Sequence, residues 1–192
     1  MNRGEALDFL NRKVKNKNIV KHMLATEVLM EDLYDFLKDR GDGDLGVKSD
    51  WAMTGLLHDG DYSDEVPEEK QGIEISKWLE EEGIFVPKEV SQAMAAHNAK
   101  SGVKPESKID WAIFCGDSLT GLIVACALVR PDKKLASLET DSILKKFKNK
   151  SFAGGTRRED VLLCEKKLDI PLKDFAEITL KAMQRISSKL EL

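Results

Sequence analysis

His58 and Asp59 are adjacent, and they close an apolar run, Trp51-Ala52-Met53-Thr54-Gly55-Leu56-Leu57. An imidazole beside a carboxylate at the end of a buried helix is costly unless a partner satisfies both. A divalent metal is such a partner, because neutral imidazole and carboxylate both offer it lone pairs. The bland alternative is a C-terminal cap, where the helix dipole favours a protonated histidine. The chain has three histidines in 192 residues, so the positions of the other two carry information. His22 lies upstream on a helical stretch. The neighbours on its face, Asn18, Ile19, Ala25, Thr26 and Leu29, are mixed rather than charged. A half-exposed surface histidine is the competing reading there. Downstream, Asp117 interrupts the apolar stretch Ala112 to Gly121, with Ile113, Phe114, Thr120 and Gly121 at helical spacing. A buried, unpaired carboxylate is expensive, and a metal is its simplest partner. Gly116 and Gly121 keep the backbone slim at that point.

Two further groups could do chemistry. His97 ends an apolar helix beginning at Val90, and reads equally as a capping histidine or as a histidine facing phosphate near a metal. Lys145, Lys146, Lys148, Lys150, Arg157 and Arg158 flank Phe152-Ala153-Gly154-Gly155. Such a charge run is commonly a solvated helix end. Glycine amides beside lysines and a helix N-terminus also make a phosphate cradle, and the residues leave both readings open. The acidic run Glu80-Glu81-Glu82 reads as solvated surface.

The elements that must position these groups are helical throughout. Glu5 to Val14 and Val20 to Leu37 carry apolar residues at three- and four-residue spacings. Ser49 can cap the helix that runs to His58, and Gly60 to Asp64 reads as loop. Pro67 opens a helix that Gly83 ends, and Pro87 opens another that runs to His97. Glu106 to Leu128 is nearly apolar all round in its second half and reads as the central helix. Leu138 to Phe147 is short and amphipathic. Thr156 to Glu159 has capping-box spacing before a helix to Leu168. Pro171 begins the last helix, to about Lys189. No segment alternates with period two, so the expectation is a single all-α domain over residues 1–192.

The composition excludes some classes of function. The net charge of -4 argues against a nucleic-acid partner or an anionic-membrane coat. No eighteen consecutive residues are apolar, so no membrane span is expected. Cys115, Cys126 and Cys164 lack metal-binding spacing. Cys115 and Cys126 share one helix, roughly 16 Å apart, too far for a disulfide. Buried free thiols fit a reducing, cytoplasmic location.

The order His22, His58-Asp59, Asp117 resembles that of the HD (HDIG) superfamily of metal-dependent phosphohydrolases. Further pieces are similar to its small bacterial and archaeal members without a well-defined substrate. They are His58-Asp59-Gly60-Asp61-Tyr62, Pro67-Glu68-Glu69, His97-Asn98, Asp117-Ser118-Leu119-Thr120-Gly121 and Lys146 to Gly155. The resemblance implies an HD-domain helical bundle in which His22, His58, Asp59 and Asp117 hold one divalent ion (Mn, Fe, Co, Ni, Zn or Mg). It implies hydrolysis of a small phosphorylated molecule, with nucleotides among the candidates. Asp59, Asp61 and His97 would serve catalysis, with Asp61 positioning or deprotonating water. Lys146, Lys148, Lys150 and Arg157 would neutralise phosphate. The chain departs from members with a fuller histidine set, because Lys70 and Gln71 stand where those carry a histidine. Neither suits a transition metal, which favours one metal over two. It also keeps open a protein that binds metal or nucleotide without turnover.

Overall fold

The computed structural model describes residues 2–192, and its regular structure is helical, with no strand among the described residues. The helices are α1 (Arg3–Lys13), α2 (Lys17–Arg40), α3 (Lys48–Leu57), α4 (Glu74–Glu81), α5 (Lys88–His97), α6 (Lys108–Leu128), α7 (Thr140–Lys148), α8 (Arg158–Lys167), α9 (Leu172–Arg185) and α10 (Ser187–Leu190). The fold is therefore all-α, as the periodicity requires.

The central helix is α6. It packs on α2, α5, α7, α8 and α9, and Ile113, Cys115, Leu119, Leu122 and Ile123 are fully buried in the larger apolar cluster. Among the described residues, α6 is the one helix long and apolar enough to cross a membrane by length and composition. The fold instead uses it as a core helix, and 61% of its most apolar window is buried. A second cluster joins Phe9 and Leu10 of α1 to Leu56 and Leu57 of α3 and to Val90 and Met94 of α5. Helices α2, α3 and α5 contribute to both clusters, so their meeting point is braced from two sides. The thiols of Cys115, Cys126 and Cys164 are free and buried.

One close approach sets the relation of α2 to α3. A Cβ on Gly55 would stand 2.6 Å from the Thr26 carbonyl oxygen and 2.7 Å from Glu27 Cα. Only glycine lets the two backbones come this near.

Helix starts differ from the sequence reading in several places. α3 begins one residue before Ser49, with Val47 at its N-cap and no side-chain cap, so Ser49 lies inside the first turn. Pro67 opens only a single 3-10 turn, Glu68–Lys70, and α4 starts at Glu74. The cause is Gly72, at φ +84, where a Cβ would stand 2.3 Å from the Met94 carbonyl oxygen. The chain must turn there to pass under α5. The Thr156 capping box does not form. Arg157 takes the N-cap position, and Arg158 donates instead to the carbonyls of Phe147, Asn149, Phe152, Ala153 and Thr156. The last helix breaks at Ile186, which separates α9 from α10.

Candidate metal centre

Three helices bring the chemistry together. His22 comes from the first half of α2, His58 caps α3 with Asp59 following, and Asp117 comes from the middle of α6. His22 Nε2 stands 3.2 Å from His58 Nε2, 3.4 Å from Asp59 Oδ2 and 2.8 Å from Asp117 Oδ1. His58 Nε2 stands 3.6 Å from Asp59 Oδ2 and 3.7 Å from Asp117 Oδ1. Potential ligand atoms of His22, His58 and Asp59 all lie within 4.8 Å of one another, and Asp117 joins them through both imidazoles.

The imidazoles are oriented by what their other nitrogens do. His58 Nδ1 lies 2.9 Å from the Gly55 carbonyl oxygen, and His97 Nδ1 meets the Met94 carbonyl oxygen. A carbonyl only accepts, so each Nδ1 carries the proton. The Thr120 hydroxyl donates to the Asp117 carbonyl oxygen at 2.8 Å and accepts from His22 Nδ1 at 3.1 Å. In the neutral rings every Nε2 is therefore a lone pair, and the lone pairs face each other and two carboxylates. Such a set repels itself unless a proton or a cation enters. Donor atoms around one first-row ion at about 2.1 Å are separated by about 3.0–3.4 Å in octahedral or tetrahedral arrangements. The observed spacings scatter around that range. The donor set thus fits a divalent ion, and each imidazole already has the outer hydrogen bond that metal-binding histidines use.

The electrostatics agree. Burial alone would lower the His22 pKa, but Asp117 and Asp59 outweigh it, and the net shift is upward. His97 behaves likewise through Asp59. Burial would raise Asp59, yet His58, His97 and His22 bring it down to about 2. Asp117 is held well below the carboxylate range by His22 and His58 against its own burial.

A cleft of about 460 Å3 opens over this cluster. Its lining includes His22, Asp59, His97 and Asp117 together with Gly154, Gly155 and Arg157. His97 belongs to the site. Its Nε2 lies 3.3 Å from Asp59 Oδ1, and its ring stacks edge-on against His58 at 4.9 Å. Arg157 also reaches the site, with Nη2 donating to Asp117 Oδ2 at 2.8 Å and leaning on the His97 carbonyl at 3.4 Å.

Other expected site residues lie elsewhere. Asp61 does not face the cleft. Both its oxygens accept the Gly72 amide, at 2.9 and 3.0 Å, and one accepts the Ile75 amide at 2.9 Å. It fastens the turn on which His97 rests, since a Cβ at Gly72 would stand 3.0 Å from the His97 ring. These bonds give Asp61 a positioning role on that turn, away from the water that the sequence reading had it position or deprotonate. Lys146, Lys148 and Lys150 do not line the cleft either. Lys146 stands over the Phe152 ring at 4.6 Å, and Lys148 and Lys150 are exposed. Of the basic cluster Arg157 reaches the His-Asp cluster, through Asp117. Gln71 lines the cleft, while Lys70 does not.

The sequence reading missed Thr120 as the group that orients His22, and Arg157 as the partner of Asp117. Thr120 sits three residues after Asp117 on one helix face, which was the available signal. No signal joined Arg157 to Asp117 across 40 residues of chain. No family model, no curated protein and no solved structure matches this chain.

Proposed function

We propose that the chain is an HD-type metal-dependent phosphohydrolase acting on a small phosphorylated molecule, with nucleotides among the candidates. The observation that carries this reading is the convergence of three Nε2 lone pairs and two carboxylates at the floor of an open cleft. His22, His58, Asp59 and Asp117 would hold the ion. A bound divalent ion supplies Lewis acidity at a phosphoryl oxygen and acidifies a water.

The chain's own residues do the rest. The Arg157 guanidinium, which touches Asp117, and Gly154-Gly155 line the same cleft as the ligands and would offer donors to phosphate oxygens. Arg157 also fixes Asp117 Oδ2, which leaves Oδ1 directed at the histidines. With Asp61 bound to backbone amides, proton handling falls to His97, whose Nε2 faces the cleft beside Asp59 Oδ1. A second reading is a protein that binds metal and nucleotide without turnover. The engagement of Asp61 favours it, because that carboxylate is not free to act as a base.

A phosphatase screen over nucleotides and sugar phosphates, with Mn2+, Mg2+, Co2+ and Ni2+ supplied in turn, tests the proposal. Phosphate release that depends on metal and disappears in Asp59→Ala is the expected result. Saturable nucleotide binding without phosphate release, across all four metals, would move the assignment to the second reading.

A further inference from the structure

The basic cluster that does not reach the cleft has a hollow of its own. This hollow, about 500 Å3, shares no lining residue with the cleft. Helix α7 carries Ser142, Lys145 and Lys146 on one face, with Asn149 at its C-cap, spaced three, four and seven residues apart. Arg130, just past the end of α6, completes the polar wall. All five side chains can donate hydrogen bonds. No carboxylate lines the hollow. The cleft, by contrast, contains Asp59 and Asp117, and the groove beside Tyr62 contains Asp61, Asp64 and Glu65. The rest of the lining is apolar, with Cys126, Val129 and Leu138.

We propose that this hollow binds a phosphate-bearing anion at a site separate from the metal centre. The competing explanation is that these cations serve only the helix ends around them. Each helix C-terminus carries roughly half a negative charge, so α6 and α7 offset about one unit between them. Arg130 donates to Ser137 Oγ at 2.8 Å and lies 3.6 Å from Asp132, so part of its charge is spoken for. Lys145 and Lys146 remain, and among the described residues neither ammonium lies in an ion pair. Lys146 rests on the Phe152 ring, a contact an anion can draw on without breaking a salt bridge. Burial pushes the Cys126 thiol up to about 11, while Lys146 and Arg158 pull it down, so their field reaches the hollow's lining. A phosphate group meets two ammonium groups, a guanidinium, a hydroxyl and an amide, while the apolar lining takes the uncharged body of its carrier.

The phosphate could belong to a soluble molecule or to a lipid headgroup, and one experiment separates the sources. The 192-residue chain is titrated in chelator with inorganic pyrophosphate, and in parallel with phosphatidylcholine vesicles with and without phosphatidic acid. Backbone amide shifts at Ser142 and Asn149 report occupancy. Binding in either arm that weakens about tenfold or more in Lys145→Ala/Lys146→Ala and persists in Arg157→Ala supports the site. The arm that responds names the source. Lys146→Gln alone, which removes the charge but keeps an extended polar side chain, should give an intermediate loss if the double variant folds poorly. Binding lost in Arg157→Ala but kept in the lysine pair, or no shift at Ser142 and Asn149 in either arm, overturns the proposal.

Discussion

At the residue scale, the candidate metal site is shaped by hydrogens on the ring nitrogens that face away from it. Gly55, Met94 and Thr120 each occupy an Nδ1 and so turn an Nε2 inward. Thr120→Val keeps the volume and removes the acceptor. Its His22 should rotate and change tautomer freely, and Mn2+ affinity should fall about 10–100-fold with the fold intact. Calorimetric metal titration checks this, and a parent-like Kd would deny Thr120 the role. Protonation gives a second prediction. His22 and His97 titrate above their ordinary 6.5 in the folded chain. A raised folded pKa contributes stability below 6.5, and the contribution is lost as pH rises through the folded value. Metal needs the same lone pairs, so binding releases protons and strengthens over that window. The Mn2+-induced rise in Tm should therefore grow from about pH 6 upward while the metal-free Tm loses its histidine contribution. Thermal scans with and without Mn2+ across pH measure both, and a pH-independent Mn2+ increment would contradict the assignment. His58-Asp59 and Asp117 stood out as polar groups in apolar stretches, whereas His22 lay on a mixed face and was picked out by its order with the other three. The clamp that Asp61 makes could not be read, because its partners, the amides of Gly72 and Ile75, lie 11 and 14 residues away and leave no mark in its own neighbourhood.

At the scale of elements, the site depends on how closely α2 and α3 pass. Gly55→Ala would drive a methyl carbon into the Thr26 carbonyl, which is backbone and cannot swing aside. The expected cost is about 1–3 kcal/mol. Separating the helices should also weaken Mn2+ binding, because His22 and His58 ride on the two backbones concerned. Denaturant unfolding and metal titration on the same variant test the pair of effects. Loss of stability with unchanged metal affinity would uncouple the approach from the site. The helices themselves were readable from apolar spacing and Pro/Gly punctuation, and α6 stood out by its hydrophobicity. What could not be read was direction. Lys146 precedes Gly154 by eight residues, yet α7 turns its polar face to a hollow beside the end of α6, while the glycines turn to the cleft. Chain proximity does not fix which side of a helix pair a loop faces. The Thr156 capping box failed for a similar reason, since Arg158 gathers five carbonyls of the loop and sets the helix start itself.

For the whole molecule, the two kinds of site carboxylate should separate by how they act on stability. A ligand that binds only the folded state stabilises it by about 2.7 kcal/mol at a hundred times its Kd. For a chain of 192 residues that is a rise in Tm of roughly 5–11 °C. Asp117→Asn takes away a ligand charge, so most of this increment should vanish in that variant. Asp61→Asn acts differently. It exchanges one carboxylate oxygen for an amide nitrogen opposite buried backbone donors, and the turn from Gly72 to Ile75 loses its clamp. Its Tm should fall whether or not metal is present, by an amount equivalent to about 1–3 kcal/mol. The Mn2+ increment should survive, because none of the four ligands touches Asp61. Thermal melts of the parent and the two variants, each with and without Mn2+, give the six values needed. A lost increment in Asp61→Asn with an undisturbed metal-free Tm would return Asp61 to the metal centre. A full increment in Asp117→Asn would remove Asp117 from it and leave His22, His58 and Asp59 as the binding set.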